Sequence, residues 1–129
     1  MEKICVKIAG ILNLITAFIH LLAGQLDLVN PLNNSNLGVQ QKAEWVSVWH
    51  MVTILLCFTS YIILRAGFVE VEGQKLKLLK EIGILYILIG IPFIISSIYY
   101  SVFAPQWILL MLTGFLLLVA LKKTDRNVK

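Results

Sequence analysis

The chain has 129 residues, of which 59% are hydrophobic, and it carries a formal net charge of +4. A soluble domain of this length cannot hide so much apolar surface, because a small domain leaves a large part of its surface in water. The composition therefore excludes an ordinary soluble domain and favours an integral membrane protein.

Four apolar runs are long enough, as helices, to cross about 30 Å of hydrocarbon. They cover residues 4–23, 45–64, 82–99 and 107–121, and a longer polar connection covers 25–44. The bilayer core offers no water to backbone polar groups, so helices are the natural spanning structure. We predict one all-α domain over residues 1–129, an up-down-up-down four-helix transmembrane bundle.

The first run, residues 4–23, contains three polar side chains: Asn13, Thr16 and His20. These residues are unusual in the apolar part of a cleaved signal peptide. We therefore expect this run to be an uncleaved first span. Steps of three, four and seven residues place Asn13, Thr16, His20 and the following Asp27 on one helical face.

The second run, residues 45–64, contains a similar stripe. His50, Thr53, Cys57 and Tyr61 follow steps of three, four and four residues. Helix surfaces that face lipid avoid polar groups, so we expect both stripes to point into the bundle. In an antiparallel hairpin of the two spans, His20 and His50 would lie at a common depth near the 25–44 connection.

The basic residues indicate the orientation of the spans. Only Lys42 lies in the 25–44 connection; the others precede or open the first run, separate the second from the third, or follow the fourth: Lys3, Lys7, Arg65, Lys75, Lys77, Lys80, Lys122, Lys123, Arg126 and Lys129. By the positive-inside rule, both chain ends lie in the cytoplasm and residues 25–44 lie outside. This placement favours the lipid bilayer over nucleic acid as a partner. We expect a multi-pass protein of the bacterial inner (cytoplasmic) membrane.

Ionisable groups inside a bilayer are costly, so the depth that His20 and His50 share is the candidate site. We predict an outward-facing polar pocket between spans one and two that binds a small apolar or amphipathic ligand, a quinone or a lipid group. The ligand-binding residues we expect are the two polar stripes and one group at the start of the fourth span: His20, His50, Asp27, Thr16, Asn13, Thr53, Tyr61 and Gln106.

The same pattern of residues is compatible with two other functions. His20 and His50 could instead be axial ligands of a haem or could bind a metal ion, since cofactors of this kind occupy bundle cores. Alternatively, both histidines hydrogen-bond neighbouring helices, and the protein is a non-enzymatic structural or transport-accessory subunit. No catalytic residue is assigned. The chain could associate with a second copy or with another membrane protein.

The first run ends in His20-Leu21-Leu22-Ala23-Gly24, and the third and fourth runs are joined by a short turn containing Ala104-Pro105-Gln106. With its four spans, this layout resembles that of small bacterial membrane proteins of the broad DoxX-like type. The resemblance covers the whole chain in layout. It implies a four-helix bundle, and it implies a link with quinone-dependent redox systems, as found for some members.

Overall fold

The computed structural model describes residues 2–69 and 74–127, and these residues are helical apart from short connections, with no strand among them. The long helices are α1 (Glu2–Gly24), α3 (Val39–Phe68), α4 (Gln74–Tyr99) and α5 (Gln106–Asn127). A π-helical segment (Gln25–Val29) and a short helix α2 (Asn30–Asn33) follow α1 directly. The all-α prediction is confirmed.

Among the described residues, three helical stretches are long and apolar enough to cross a membrane: Lys3–Asn33, Val39–Phe68 and Lys75–Tyr99. The fourth, Gln106–Lys122, is apolar but shorter. By length and composition, these three helices have what a membrane-spanning helix requires.

Residues 25–44, expected to form a polar connection, are mostly helical. Gly24 keeps a right-handed helical backbone, and the N–H of Asn30 donates to the carbonyl of Gln25. Pro31 then lies in the first turn of α2, where its missing N–H and fixed φ are best tolerated. The irregular part of the connection is reduced to Asn34–Gly38. There Lys42 Nζ donates to the Asn33 carbonyl at 2.7 Å.

The helices run alternately up and down. Along α1, Gly10 lies against Leu64 of α3 and His20 lies against Trp49, so the two helices are antiparallel. α4 and α5 are likewise antiparallel, and their backbones approach closely where Gly83 meets Gly114. Small residues allow such close approach between membrane helices.

Helix α1 packs on both α3 and α5, and α5 packs on α4, whereas α3 and α4 touch only sparsely. The apolar core lies where these helices meet. It contains mainly aliphatic side chains and one tyrosine: Val6, Ala9, Ala17, Leu56, Ile63, Leu79, Ile82, Tyr86, Leu110, Leu117, Ala120 and Leu121.

The buried face of α3 differs from the predicted stripe. Of His50, Thr53, Cys57 and Tyr61, only Thr53 is buried; the other three side chains are exposed on the isolated chain. The buried face instead consists of Thr53, Leu56, Thr59, Ser60, Ile63 and Gly67. The prediction that the whole stripe points inward is therefore wrong, because α3 is rotated to place small residues and hydroxyls against α1.

Candidate functional site

Two layers of polar contacts fasten α1 to the other helices. The first, the histidine layer, consists of His20, Gly24, Trp49 and Thr53. The half-buried imidazole of His20 stacks on the indole of Trp49, with ring centroids 3.7 Å apart and an interplanar angle of 12°. His20 Nε2 lies 3.2 Å from the Trp49 carbonyl oxygen and donates to it in the tautomer that is protonated at Nε2.

Trp49 fills the space that the sequence pattern assigned to a pocket. A Cβ added to Gly24 would lie only 1.7 Å from the indole carbon Cζ2, so the ring rests directly on the backbone of α1. The Trp49 carbonyl also accepts from Thr53 Oγ1 at 3.2 Å. The indole Nε1 is buried and has no hydrogen-bond partner among the residues that the structure describes.

The second layer, the polar cluster, consists of Asn13, Thr59, Ser60 and Tyr86. Asn13 is fully buried, with an exposed fraction of 0%. Its Nδ2 lies 3.0 Å from both Thr59 Oγ1 and Ser60 Oγ, and 3.2 Å from the Leu56 carbonyl. An amide nitrogen carries only two protons, so these contacts share them.

Tyr86 extends the polar cluster to α4. Its hydroxyl lies 2.6 Å from Thr59 Oγ1 in a buried contact. On α5, Thr113 is also fully buried; within the part of the chain that the structure describes, its Oγ1 has no hydrogen-bond partner, and neither has Asn13 Oδ1. Helices α1, α3 and α4 thus each supply side chains to one buried polar cluster.

The remaining predicted site residues are dispersed. Thr16 is buried, but its hydroxyl donates to the Leu12 carbonyl of its own helix at 2.9 Å. His50, Asp27 and Gln106 are exposed. Tyr61 is 58% exposed, and its hydroxyl accepts from Arg65 Nη1 at 3.5 Å. Of the predicted residues, His20 and Asn13 of α1 thus contact α3, and Thr53 shares the Trp49 carbonyl with His20.

Sequence reasoning missed several residues of the two layers. Neither Trp49 nor Tyr86 is among the residues that the sequence pattern singles out. The signal was present, because residues 53, 56, 60, 63 and 67 follow the alternating steps of three and four that mark one helical face. Tyr86 is also the one hydroxyl side chain in the apolar sequence from residue 82 to residue 95. A buried tyrosine hydroxyl usually has a partner.

The histidines do not fit an axial pair around haem iron. The face of the His20 ring is covered by Trp49, its Nε2 is directed at a carbonyl, and the His50 side chain is exposed. The described residues also include no group of three or more His, Cys, Asp or Glu side chains that could hold a metal ion. The arrangement provides hydrogen bonds and ring stacking between helices.

Comparison of the chain with protein-family models, curated proteins and solved structures finds no match. The DoxX-like resemblance therefore stays a prediction.

Proposed function

We propose that this chain is a multi-pass protein of the bacterial inner membrane, with both ends in the cytoplasm. Within it, the chain acts as a non-enzymatic structural or transport-accessory subunit. The contact between His20 and Trp49 carries the proposal. An imidazole that stacks on an indole and bonds a backbone carbonyl is engaged in joining helices, so it is poorly placed to receive a substrate.

The polar cluster supports the same proposal. Asn13 of α1 and Tyr86 of α4 both contact Thr59 of α3, and all three side chains are buried. Many large apolar side chains remain exposed on the isolated chain, as expected where lipid or a partner protein covers them. A bundle whose helices are joined by buried hydrogen bonds, and whose outer surface is apolar, is suited to a structural role within a membrane assembly.

A pair of histidine variants tests the role of the histidine layer. His20→Gln should lower the free energy of unfolding by about 1–2 kcal/mol, because it loses an interhelical hydrogen bond and a ring stack. His50→Gln is the matched control and should change stability little, since its side chain is exposed. Thermal unfolding in detergent measures both effects. Unchanged stability of His20→Gln, with loss of a copurifying molecule, would contradict the proposal.

A second function, a binding protein for a small ligand, quinone or lipid group, is favoured by one observation. Trp49 Nε1 is a buried donor without a partner, directly beside His20. A quinone carbonyl could accept from such a donor. Adding a short-chain ubiquinone to the purified protein tests this function: binding that quenches tryptophan fluorescence in the parent and not in Trp49→Phe would support it.

A further inference from the structure

A cleft separates α3 from α4 near the connection between them. It has a volume of about 250 Å³ and is lined by residues of both helices: Tyr61, Ile62, Arg65, Ala66, Val69, Lys75, Leu78 and Leu79. It is open along one side. The sparse contact between α3 and α4 elsewhere makes room for it.

The cleft is amphipathic. Its described lining contains two cations, Arg65 and Lys75, and no carboxylate. Both cations are exposed, and Arg65 Nη1 lies 3.5 Å from the Tyr61 hydroxyl. Apart from the Tyr61 ring, the rest of the described lining is aliphatic, and Leu79 belongs to the buried core. An occupant with negative charge at one end and apolar surface at the other complements both parts of this lining.

The position of the cleft matches that chemistry. Arg65 lies near the end of the span Val39–Phe68, and Lys75 opens the span Lys75–Tyr99. The two cations thus lie at one end of the bundle, where headgroups would meet the helices. Basic pockets between membrane helices on the cytoplasmic side are known to bind anionic lipid headgroups.

We propose that this cleft binds one anionic phospholipid, with its phosphate at Arg65 and Lys75 and an acyl chain against Ile62, Ala66 and Leu79. The volume is below the range of about 300–1,000 Å³ typical of pockets that enclose a drug-sized ligand. An open cleft of this size fits the first part of an acyl chain, whose remainder follows the outside of the bundle. The inference rests on the membrane insertion proposed above.

Native mass spectrometry of the full-length protein, extracted in mild detergent and delipidated, tests the proposal. Phosphatidylglycerol and phosphatidylethanolamine with identical acyl chains are added in turn, and the parent should bind phosphatidylglycerol about tenfold more tightly. The double variant R65A/K75A should lose most of this preference; R65Q/K75Q, which keeps part of each side chain's stem, should behave in the same way.

The matched control is K77A/K80A, which also removes two cations from the same end of the molecule but none from the cleft lining. Lys77 pairs loosely with Glu81 at 3.9 Å on an exposed surface. This control should keep the preference. An equal loss in both double variants would show attraction to general surface charge and would overturn the proposal, as would an unchanged preference in R65A/K75A.

Two further measurements examine the apolar part of the site. Leu78→Trp adds bulk to the cleft at a side chain that is 43% exposed, so the fold should tolerate it while lipid binding falls. Glycerol 3-phosphate, which has the phosphate without the chains, should not compete at the lipid's concentration; equal binding would overturn the lipid assignment. A protein absent from membrane fractions would contradict membrane insertion, whereas an inserted protein without lipid preference would contradict only this inference.

Discussion

Asn13 is the residue that connects most of the buried polar groups. It lies on α1 and reaches two hydroxyls and one carbonyl of α3. In hydrocarbon an unpaired amide is costly, because no water can replace the lost partner. Burial of this amide is therefore tolerable only in one register of α1 against α3, and Asn13 helps to specify that register.

Replacing Asn13 by alanine should lower the free energy of unfolding by about 1–3 kcal/mol, because interhelical hydrogen bonds and a filled interior are both lost. Thr16→Val is the matched control. It is also buried on α1, but its hydroxyl bonds only its own helix, so stability should change little. Unfolding in detergent, followed by circular dichroism, compares the two variants. Equal stability of the two variants would show that Asn13 does not stabilise the packing of α1 on α3.

A hydrogen bond between the Thr59 and Tyr86 hydroxyls joins α3 to α4. A double-mutant cycle with Thr59→Val and Tyr86→Phe should give a coupling energy of about 0.6 kcal/mol, the average for hydrogen bonds between membrane helices, and no more than about 1.7 kcal/mol. Unfolding of the parent, both single variants and the double variant supplies the four free energies. Additive effects would mean that this contact adds nothing to helix association.

At the scale of elements, the helices were predictable and the face of α3 was not. Long apolar runs fix where membrane helices form, since hydropathy alone decides which segments leave water. The prediction that His50, Cys57 and Tyr61 lie on the buried face of α3 failed because it assumed that polar side chains mark that face. In an apolar environment small size matters as much, and Ser60 and Gly67 define the packed side.

The candidate site was predictable in part for the same reason. His20 and Asn13 do lie against α3, at the depths expected from an antiparallel hairpin. What the pattern could not show is that Trp49 fills the space beside His20. The helical backbone of residues 25–33 could not be predicted either. A π-helical segment and a proline in the first turn of a helix have no clear signal in hydrophobic periodicity.

The close contact of α4 with α5 gives a prediction at this scale. A Cβ added to Gly114 would lie 2.6 Å from the Gly83 carbonyl oxygen, and a backbone atom can yield only if the helices separate. Gly114→Ala should therefore cost about 1–3 kcal/mol of stability, as overpacking usually does.

Gly38→Ala is the control for this substitution. Gly38 has φ −63° and ψ 153°, which suit any L-residue. The nearest atom to an added Cβ is Gln41 Oε1 at 3.6 Å. Measured by unfolding in the same detergent, Gly114→Ala should be clearly less stable than Gly38→Ala. Parent-like stability of both variants would mean that α4 and α5 adjust their spacing freely.

For the whole molecule, the alternating helix directions place two connections at one end of the bundle. Residues 34–38 follow α2, and residues 100–105 join α4 to α5. The opposite end contains the cations Lys7, Arg65 and Lys75, and Lys7 Nζ lies 4.4 Å from the ring centre of Phe68 there. This separation of charge predicts that the cationic end is cytoplasmic.

Cysteine labelling in intact cells measures that orientation. In a background with Cys5 and Cys57 replaced by alanine, Asn36→Cys and Val102→Cys should react with a membrane-impermeant maleimide, since both positions are exposed at the far end. Lys77→Cys, exposed at the cationic end, should react only after the membrane is permeabilised. Labelling of Lys77→Cys in intact cells, with protection of the other two, would reverse the orientation. It would then place the α3–α4 cleft on the outer leaflet, away from the cytoplasmic lipid surface to which its cations were assigned.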